Sequence, residues 1–401
     1  MKNNPQTLKG FRDFLPEQAR KRQFVIDTLK KVFELYGFEP LETPTLEYAE
    51  VLAGKYGEEG DKLMYRFKDR GDRDVAMRYD QTVPLARVVA QYQNITFPFK
   101  RYQIQPVWRA DKPQKGRYRE FLQCDIDSVG VVAPVADAEI LNLVYTAYKV
   151  LGLNFVIKIN DRAIFEGVNP AYLPIIDKLE KIGREGVVKE LKDLGEGDPE
   201  AILESITNKK ETSLISSIRR IAEDMGVPQD SLKFAPTLVR GLDYYTGLII
   251  EVVAKDYSVG SVGGGGRYDK LLSLFTKTSY PSVGFSFGFD RTVEAMEEQN
   301  LFPKALNESS TKVLITIFNF DLIEESLKNT STLRNKGINT EIYLEQNTKI
   351  DKQLKYADKK SIPYVIIIGP EEKEKNVVKL KNMRERTEET LSLEEVIKKL
   401  S

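Results

Sequence analysis

Apolar residues recur at helical spacing between residues 17 and 36, and a glycine follows at the point where such a helix would end. The stretch 97–111 then reads as a strand and 119–130 as a returning strand, with the polar segment 111–120 between them. This pattern predicts a long hairpin with a basic tip. The apolar spacing of 137–152 predicts a helix, and 154–161 predicts a further strand.

Residues 170–232 differ from the segments on either side because their apolar residues recur at helical spacing. Apolar positions from Ile176 to Leu194 fit one amphipathic helix, and those from Leu214 to Met225 fit another. We predict a helical insertion at 170–232 within a first domain that spans residues 1–305. Residues 306–310 are the expected linker. Strand and helix patterns alternate over 311–401, which predicts a compact α/β domain with a partly parallel sheet.

Composition narrows the possible chemistry. The 401 residues carry no net formal charge, and no apolar run approaches the ~20 residues of a membrane helix. One cysteine, Cys124, and the absence of a secretory signal pattern predict a cytoplasmic protein. The chain contains no histidine. Histidine-dependent triads and His/Cys zinc sites are therefore excluded, whereas phosphoryl or nucleotidyl transfer by positioned charges remains possible.

The tip of the predicted hairpin holds a group of cations: Arg109, Lys112, Lys115, Arg117 and Arg119. Most charge runs are solvated surfaces, and that interpretation stays open here. However, Arg109 directly follows Trp108 on an apolar strand, where a buried guanidinium needs an opposite charge. Because a guanidinium is planar and always charged, phosphate is a natural partner.

Three further stretches combine glycine with arginine. We interpret "SVGGGGRYD" as a glycine loop that opens a helix, although a simple turn would also fit. In "VGFSFGFDR", glycine within a strand indicates either a close ligand or close packing. In "LVRGLDYYTG", Arg240 and two tyrosines precede an apolar strand, which fits either one wall of a pocket or a surface salt bridge beside a core tyrosine.

In this order, the stretches resemble those of histidyl-tRNA synthetases, a family of class II aminoacyl-tRNA synthetases. "LKGFRDFLP" resembles the N-terminal signature, "EPLETPTLE" the dimer element called motif 1, "WRADKPQKGRYREFLQCDID" motif 2, and "VGFSFGFDR" motif 3. "RGLDYYTG" and "GGGGRYD" resemble two peptides that are specific to this family. The likeness runs from about Leu8 to Val293 and continues into a domain like the family's anticodon-binding domain.

The resemblance implies roles for the matching residues. The catalytic pair would be Arg240 and Arg109, which would neutralise the reacting carboxylate and the α-phosphate. The ATP site would comprise Arg109, Asp111, Arg117, Arg119 and Arg291. The histidine site would comprise Asp80, Gln81, Thr82, Arg109, Gln123, Asp127, Arg240, Tyr244 and Tyr245. Within it, Asp127 and Tyr245 would pair with the imidazole nitrogens, and Gln81 would point away from the ligand. The amino group would be held by Asp80, Thr82 and Gln123.

The implied fold is mixed, α+β and α/β: an antiparallel class II sheet flanked by helices, with 170–232 as an acceptor-stem clamp and 311–401 as the anticodon-binding domain. The implied partners are L-histidine, ATP with Mg²⁺, tRNA-His and a second copy in a homodimer, with no membrane. Two rivals stay open: a regulatory paralogue that senses histidine, and an RNA-binding module without catalysis. The regulatory paralogues generally lack the anticodon domain.

Overall fold

The computed structural model of the chain describes residues 5–55, 57–132, 134–195, 197–240, 245–276, 278–345 and 347–400. They form two compact units. The first comprises the described parts of Met1–Asp13 and Arg22–Leu301, and the second those of Phe14–Lys21 and Phe302–Ser401. No helix among the described residues has the length and apolar character needed to span a membrane. The predicted domain limits and the insertion remain predictions, because compactness alone assigns no role.

The helices and strands up to Glu298 have the following bounds. The strands are β1 (Glu39–Pro40), β2 (Leu46–Tyr48), β3 (Arg66–Lys68), β4 (Asp74–Met77), β5 (Phe99–Trp108), β6 (Glu120–Val129), β7 (Phe155–Asp161), β8 (Leu232–Phe234), β9 (Leu248–Ala254), β10 (Gly263–Arg267) and β11 (Ser282–Phe287). The helices are α1 (Pro16–Leu35), α2 (Ala49–Leu52), α3 (Gly57–Leu63), α4 (Thr82–Gln91), α5 (Pro134–Val150), α6 (Leu173–Ile176), α7 (Leu179–Asp193), α8 (Pro199–Thr207), α9 (Ser213–Asp224) and α10 (Phe289–Glu298).

Eight of these strands form one sheet in the order β1-β5-β6-β11-β10-β9-β7-β8. The pairs from β5 across to β7 are antiparallel, and only the outer strands β1 and β8 pair in parallel. The predicted hairpin is confirmed as β5 and β6, in a register that sets Trp108 opposite Glu120. The antiparallel sheet flanked by helices that the resemblance implied is likewise confirmed.

The two faces of the sheet differ in character because successive residues of a strand point to opposite sides. One face is aromatic and packs against α1 and α5. The ring of Phe33 from α1 lies 5.3 Å from that of Phe287 on β11, and the ring of Tyr148 from α5 also lies 5.3 Å from it. All three side chains are buried. The opposite face therefore carries the polar residues of the same strands.

The prediction that the glycine run is a loop opening a helix is wrong. Residues Gly263–Arg267 form the buried strand β10 within the large sheet, and only a single 3₁₀ turn follows, at Leu272–Leu274. Neighbours occupy the space that side chains would need. A β-carbon at Gly263 would lie 2.5 Å from Tyr148 Oη, and one at Gly265 would lie 2.1 Å from the carbonyl oxygen of Gly284. Glycine is needed here for close packing rather than for flexibility.

The described part of residues 170–232 is mainly helical, but the first helix expected there is not continuous. The segment expected as one helix from Ile176 to Leu194 begins only at Leu179, and Gly183 interrupts it with φ 72° and ψ 173°. The helix α8 was not predicted. It begins after Asp198, whose side chain accepts a hydrogen bond from the Ala201 backbone N–H at 3.0 Å.

The second unit contains a five-stranded sheet. Its strands are β12 (Val313–Ile315), β13 (Thr340–Ile342), β14 (Tyr364–Ile367), β15 (Val378–Asn382) and β16 (Thr387–Leu391). Its helices after the first unit are α11 (Ile323–Asn335), α12 (Ile350–Lys359), α13 (Pro370–Glu374) and α14 (Leu393–Leu400). In the order β13-β12-β14-β15-β16, β12 pairs in parallel with both neighbours and the remaining pairs are antiparallel. The partly parallel sheet is thus confirmed.

Candidate active site

Polar residues line the face of β5 and β6 that points away from α1 and α5. The register places three of them on β5 opposite three on β6: Arg101 with Asp127, Gln103 with Asp125, and Gln105 with Gln123. The pairs Arg101–Asp127 and Gln103–Asp125 are buried within the fold. Because buried polar groups need partners, this face is an ordered network and not a solvated surface.

Glycines on β10 and β11 form the floor beside this network. A β-carbon at Gly264 would lie 2.3 Å from Arg240 Cζ, so the guanidinium of Arg240 rests directly on that glycine. A β-carbon at Gly284 would lie 2.0 Å from Asp127 Oδ1, so the carboxylate of Asp127 rests on Gly284. We call Gly264, Gly266 and Gly284 the glycine floor. With the two side chains that rest on it, the glycine floor brings residues from four separate sequence motifs onto one side of the sheet.

Arg240 lies in an acidic and polar setting on the glycine floor. Its Nη1 donates to Glu251 Oε2 at 2.7 Å and to Ser261 Oγ at 3.1 Å. Its side chain is 36% exposed, so the guanidinium faces the open side of the site as well as these partners. Glu251 and Ser261 were not predicted as site residues, and nothing in their sequence neighbourhood singles them out.

Arg291 and Arg240 both donate hydrogen bonds to Ser261. Arg291 Nη1 donates to the Ser261 carbonyl oxygen at 3.0 Å, and Arg291 Nε donates to the Gly116 carbonyl at the tip of the hairpin at 3.3 Å. Burial lowers the pKa of Arg291 below its ordinary value, although the group remains a cation. Arg291, at the start of α10, therefore contacts both the hairpin tip and Ser261, which precedes β10 and which Arg240 also contacts.

Arg109 follows β5 and lies between two aromatic rings. Its guanidinium carbon is 4.4 Å from the centre of the Tyr79 ring and 5.2 Å from that of Phe121. Its Nε donates to the Tyr79 carbonyl at 3.0 Å. Stacking between rings fixes the plane of an arginine fork without an anionic partner.

The side chain of Arg119, another residue predicted for the nucleotide site, donates to backbone carbonyls. Arg119 Nε donates to the Asp111 carbonyl at 3.1 Å, and Arg119 Nη1 donates to the Lys9 carbonyl at 3.4 Å. The backbone N–H of Arg117 donates to the Gln114 carbonyl at 2.9 Å. Arg119 therefore also fastens the N-terminal signature segment to the hairpin, a function that the sequence did not indicate.

The residues predicted for the amino group meet at the start of α4. Asp80 Oδ1 accepts a hydrogen bond from the Val83 backbone N–H at 3.2 Å, and Thr82 is the first residue of the helix. Gln81 is fully buried, and its Nε2 donates to the carbonyl oxygens of Gln105 at 2.9 Å and Gln123 at 3.1 Å. Among the described residues, the side-chain carbonyl oxygens of Gln81 and Gln123 are buried without a hydrogen-bond donor.

Asp127 is held from several sides. Arg101 Nη2 lies 2.6 Å from Asp127 Oδ2, and the hydroxyl of Tyr268 donates to Oδ1. Burial raises the pKa of Asp127 to about 6, while Arg101 and Tyr268 act against this rise. Tyr245 is half-buried and packs among the same hydrophobic clusters as Tyr268 and Leu238. Tyr244, the other predicted tyrosine, lies outside the described residues.

Comparison with known proteins agrees with this geometry. A family model described as "Histidyl-tRNA synthetase" matches residues 10–196 and 167–292, and one described as "Anticodon binding domain" matches residues 312–401. The histidine–tRNA ligase of Cytophaga hutchinsonii is 40% identical, with 99% of each chain covered. The crystal structure of histidyl-tRNA synthetase from Nostoc sp. PCC 7120 has a TM-score of 0.85 at 28% identity and covers 99% of both chains. The apo Staphylococcus aureus histidyl-tRNA synthetase has a TM-score of 0.74 at 25% identity and covers 99% of this chain and 100% of its own.

The large antiparallel sheet and the anticodon-binding unit define a class II aminoacyl-tRNA synthetase. The sequence matches extend over nearly the whole chain at a level that shared fold alone does not explain. The chain belongs to the histidyl-tRNA synthetase family.

Proposed function

We propose that this protein joins histidine to its tRNA in two steps at the polar face of the large sheet. In the first step L-histidine reacts with ATP to give histidyl-adenylate and pyrophosphate, and in the second the histidyl group passes to the 3′ end of tRNA-His. The observation that carries this proposal is the glycine floor: Arg240 lies against Gly264 and Asp127 lies against Gly284, and these glycines belong to the neighbouring strands β10 and β11. A guanidinium and a carboxylate there suit a phosphate and an imidazole, respectively.

The proposed first step needs charge neutralisation more than proton transfer. A carboxylate oxygen of histidine bonds to the α-phosphorus, and the bond from that phosphorus to the pyrophosphate oxygen breaks. The attacking carboxylate is already ionised at pH 7, so no general base is required. Negative charge accumulates on the phosphoryl oxygens, and fixed cations such as Arg109 and Arg240 stabilise it.

The same face has the groups needed to recognise the histidine side chain and amino group. Neutral imidazole has one donor and one acceptor nitrogen, which the Asp127 carboxylate and the Tyr245 hydroxyl would satisfy. The substrate ammonium has three N–H donors, and the acceptor-rich corner formed by Asp80, Thr82 and Gln123 would receive them. The buried side-chain oxygen of Gln123 supports this assignment, since buried acceptors normally have a donor.

ATP and Mg²⁺ are the expected co-substrate and its ion. Asp111, Arg117, Arg119 and Arg291 would line the nucleotide site together with Arg109. Mg²⁺ usually keeps several waters and binds substrate phosphates with one or two carboxylates. Glu251, beside Arg240 on the polar face, fits as such a carboxylate. When bound, the ion would supply further positive charge at the ATP phosphates.

ATP–pyrophosphate exchange with each of the twenty amino acids tests the first step. We expect exchange with histidine alone. Exchange with a different amino acid would refute the substrate assignment. Absence of all exchange, with tRNA binding retained, would indicate the RNA-binding rival instead.

The glycine floor gives a direct mutational prediction. Gly264→Ala places a methyl group where the Arg240 guanidinium lies, so that side chain must move. We expect kcat/KM in the exchange assay to fall by about 10²-fold or more, because misplacement by an ångström removes transition-state stabilisation. The matched control is Gly197→Ala, since a β-carbon at Gly197 would meet no atom within 4 Å. Equal activity of both variants would show that the floor does not position Arg240 for catalysis.

The second unit would bind the anticodon at the carboxyl end of β12. Its parallel neighbours β13 and β14 lie on opposite sides of β12, so crossovers leave in both directions and create a crevice at that end of the strands. Phe318 and Phe320 follow β12 and are 45% and 69% exposed. Exposed aromatic rings at such a position suit the stacking of unpaired bases.

We expect Phe320→Ala to raise the KM for tRNA by about 5- to 100-fold, since stacking on one aromatic ring contributes roughly 1–3 kcal/mol per base. Histidine-dependent exchange without tRNA should be unchanged. Leu327→Ala, at a half-exposed apolar position on α11, is the control. A steady-state aminoacylation assay gives both values. An unchanged KM for tRNA in Phe320→Ala would exclude this ring from the contact.

We further propose that the protein is a cytoplasmic homodimer whose motif 1 region contributes to the interface. A groove of ≈ 870 Å³ lies in this part of the first unit. Its lining includes the exposed apolar residues Leu46, Tyr48 and Tyr92. Sedimentation of the purified protein measures the oligomeric state, and a stable monomer at micromolar concentration would refute the dimer.

A further inference from the structure

A fully buried arginine lies beneath the proposed histidine site. Arg101 is on β5 directly opposite Asp127 on β6, and its side chain has no exposed surface. Its Nη2 is 2.6 Å from Asp127 Oδ2. Its other contacts are weaker: Nη1 to Gln103 Oε1 at 3.4 Å and Nη2 to the Gln81 carbonyl at 3.5 Å. The ion pair with Asp127 is therefore its main interaction.

Arg101 is the cation in a mostly acidic environment. The charged and titratable groups that act on Asp127 are Arg101 from β5, Tyr268 after β10, Asp80 before α4, and Asp125 on its own strand. Burial raises the pKa of Asp125 to about 7 and that of Asp127 to about 6, and Arg101 opposes both changes. Without Arg101, three neighbouring carboxyl groups would face one another, and the buried ones would favour the neutral form.

The contacts also fix the direction of the Asp127 carboxylate. Arg101 engages Oδ2, Tyr268 donates to Oδ1, and Gly284 lies against Oδ1 from β11. The hydrogen bond on Oδ1 and the ion pair on Oδ2 leave the carboxylate little freedom to rotate, and among the described residues no hydrogen-bond donor is directed at Oδ2. A buried ion pair is often no more stabilising than an apolar pair of similar volume, so stability alone is a weak explanation for this arrangement.

We propose that Arg101 is a positioning residue for histidine selection: it keeps the Asp127 carboxylate ionised and oriented, so that Asp127 accepts a hydrogen bond from the imidazole N–H. This inference rests on the proposed function, in which Asp127 receives the histidine side chain. Arg101 itself, buried beneath the carboxylate, acts through Asp127 and not on the substrate.

The test compares Arg101→Met with Arg101→Lys in histidine-dependent ATP–pyrophosphate exchange from pH 6 to pH 8.5. We expect Arg101→Met to raise the KM for histidine about 2- to 100-fold at pH 7, since a neighbouring guanidinium lowers a carboxyl pKa by roughly one to three units. The ratio of this KM to the wild-type KM should fall as pH rises, because high pH restores the Asp127 carboxylate. Titration of histidine itself is common to both proteins and cancels in the ratio.

Two further measurements distinguish a positioning role of Arg101 from a general structural role. The KM for ATP should change by less than about 2-fold, and Arg101→Lys, which keeps the charge, should show a much flatter pH dependence of the ratio. Arg267→Met is the control, because it also removes a buried ion pair, with Asp137, without contacting Asp127. Its histidine KM ratio should not vary with pH.

A KM ratio for Arg101→Met that is independent of pH, or an equal rise in the KM for ATP, would overturn the inference. If Arg101→Met does not fold, Arg101→Gln provides the second test, because it removes the same positive charge and keeps a polar side chain. We expect its KM ratio for histidine also to fall as pH rises, and a flat ratio would again overturn the inference. Wild-type protein without histidine-dependent exchange would instead refute the proposed function.

Discussion

Replacing Arg240 with glutamine should lower the kcat of histidine-dependent ATP–pyrophosphate exchange by about 10²- to 10³-fold, with smaller changes in both KM values. This is the usual effect of removing one preorganised group that stabilises charge in a transition state, roughly 3–4 kcal/mol. Arg240 is placed for such a role because Gly264 lets its guanidinium lie flat on the sheet, and Glu251 and Ser261 fix its orientation. Single-turnover measurement of adenylate formation separates this step from product release.

Two controls make this result specific. Arg220→Gln removes an exposed arginine from α9 and should leave exchange unchanged. The double variant Arg240→Gln/Glu251→Gln tests whether the loss comes from leaving Glu251 without its partner. We expect the double variant to be at least as slow as Arg240→Gln. Recovery of the rate in the double variant would show that the Arg240 cation is not itself required. A loss of rate below about 3-fold in the single variant would show that other groups neutralise the negative charge of the transition state.

The second large effect is expected from Asp127→Asn. The amide has nearly the same shape but no negative charge, so kcat/KM for histidine should fall by about 10²- to 10³-fold. The substitution also removes the carboxylate that pairs with the buried Arg101, which should lower the free energy of unfolding by about 3–5 kcal/mol. The exchange assay and thermal unfolding measure the two consequences separately.

The double variant Asp127→Asn/Arg101→Met separates stability from recognition. Removing both members of a buried pair is often neutral for stability, so we expect the free energy of unfolding to return toward that of the wild type. Histidine selection should stay impaired, because the acceptor carboxylate is still missing. If the double variant regains histidine kcat/KM together with stability, Asp127 is a structural residue and the imidazole is recognised elsewhere.

Part of the candidate site could be predicted from the amino-acid sequence because its placement depends on local sequence patterns. The alternation along β5 and β6 indicated the hairpin, and the hairpin placed Arg109 at its end and the cations of its tip beyond it. Arg291 was readable because a strand followed by an amphipathic helix fixes the first helical turn. The sequence analysis did not assign a role to Arg101, although its alternation with Gln103 and Gln105 indicates a row of polar residues on one face of the strand.

The glycine run was misread for a physical reason. Glycine has no side chain, so Gly263 to Gly266 carry no hydrophobic alternation that could distinguish a strand from a loop. What makes this segment a strand is its pairing with β9 and β11, and Tyr148, Gly284 and Arg240 occupy the space that side chains would need there. Glu251 and Ser261 were not predicted as site residues for a similar reason. Their importance comes from their hydrogen bonds with Arg240, which local sequence does not show.

The amino-acid sequence by itself determined the hairpin, the α/β character of the last unit and the family that the motifs indicate. Its lack of histidine also excluded histidine-dependent catalysis. These features follow from the periodicity and composition of neighbouring residues. Only the tertiary structure decided which side chains share a face of the sheet, what lies over each glycine, and that Asp127 is paired with Arg101. Those contacts join residues far apart in the chain, and strand register, which local sequence does not specify, sets them.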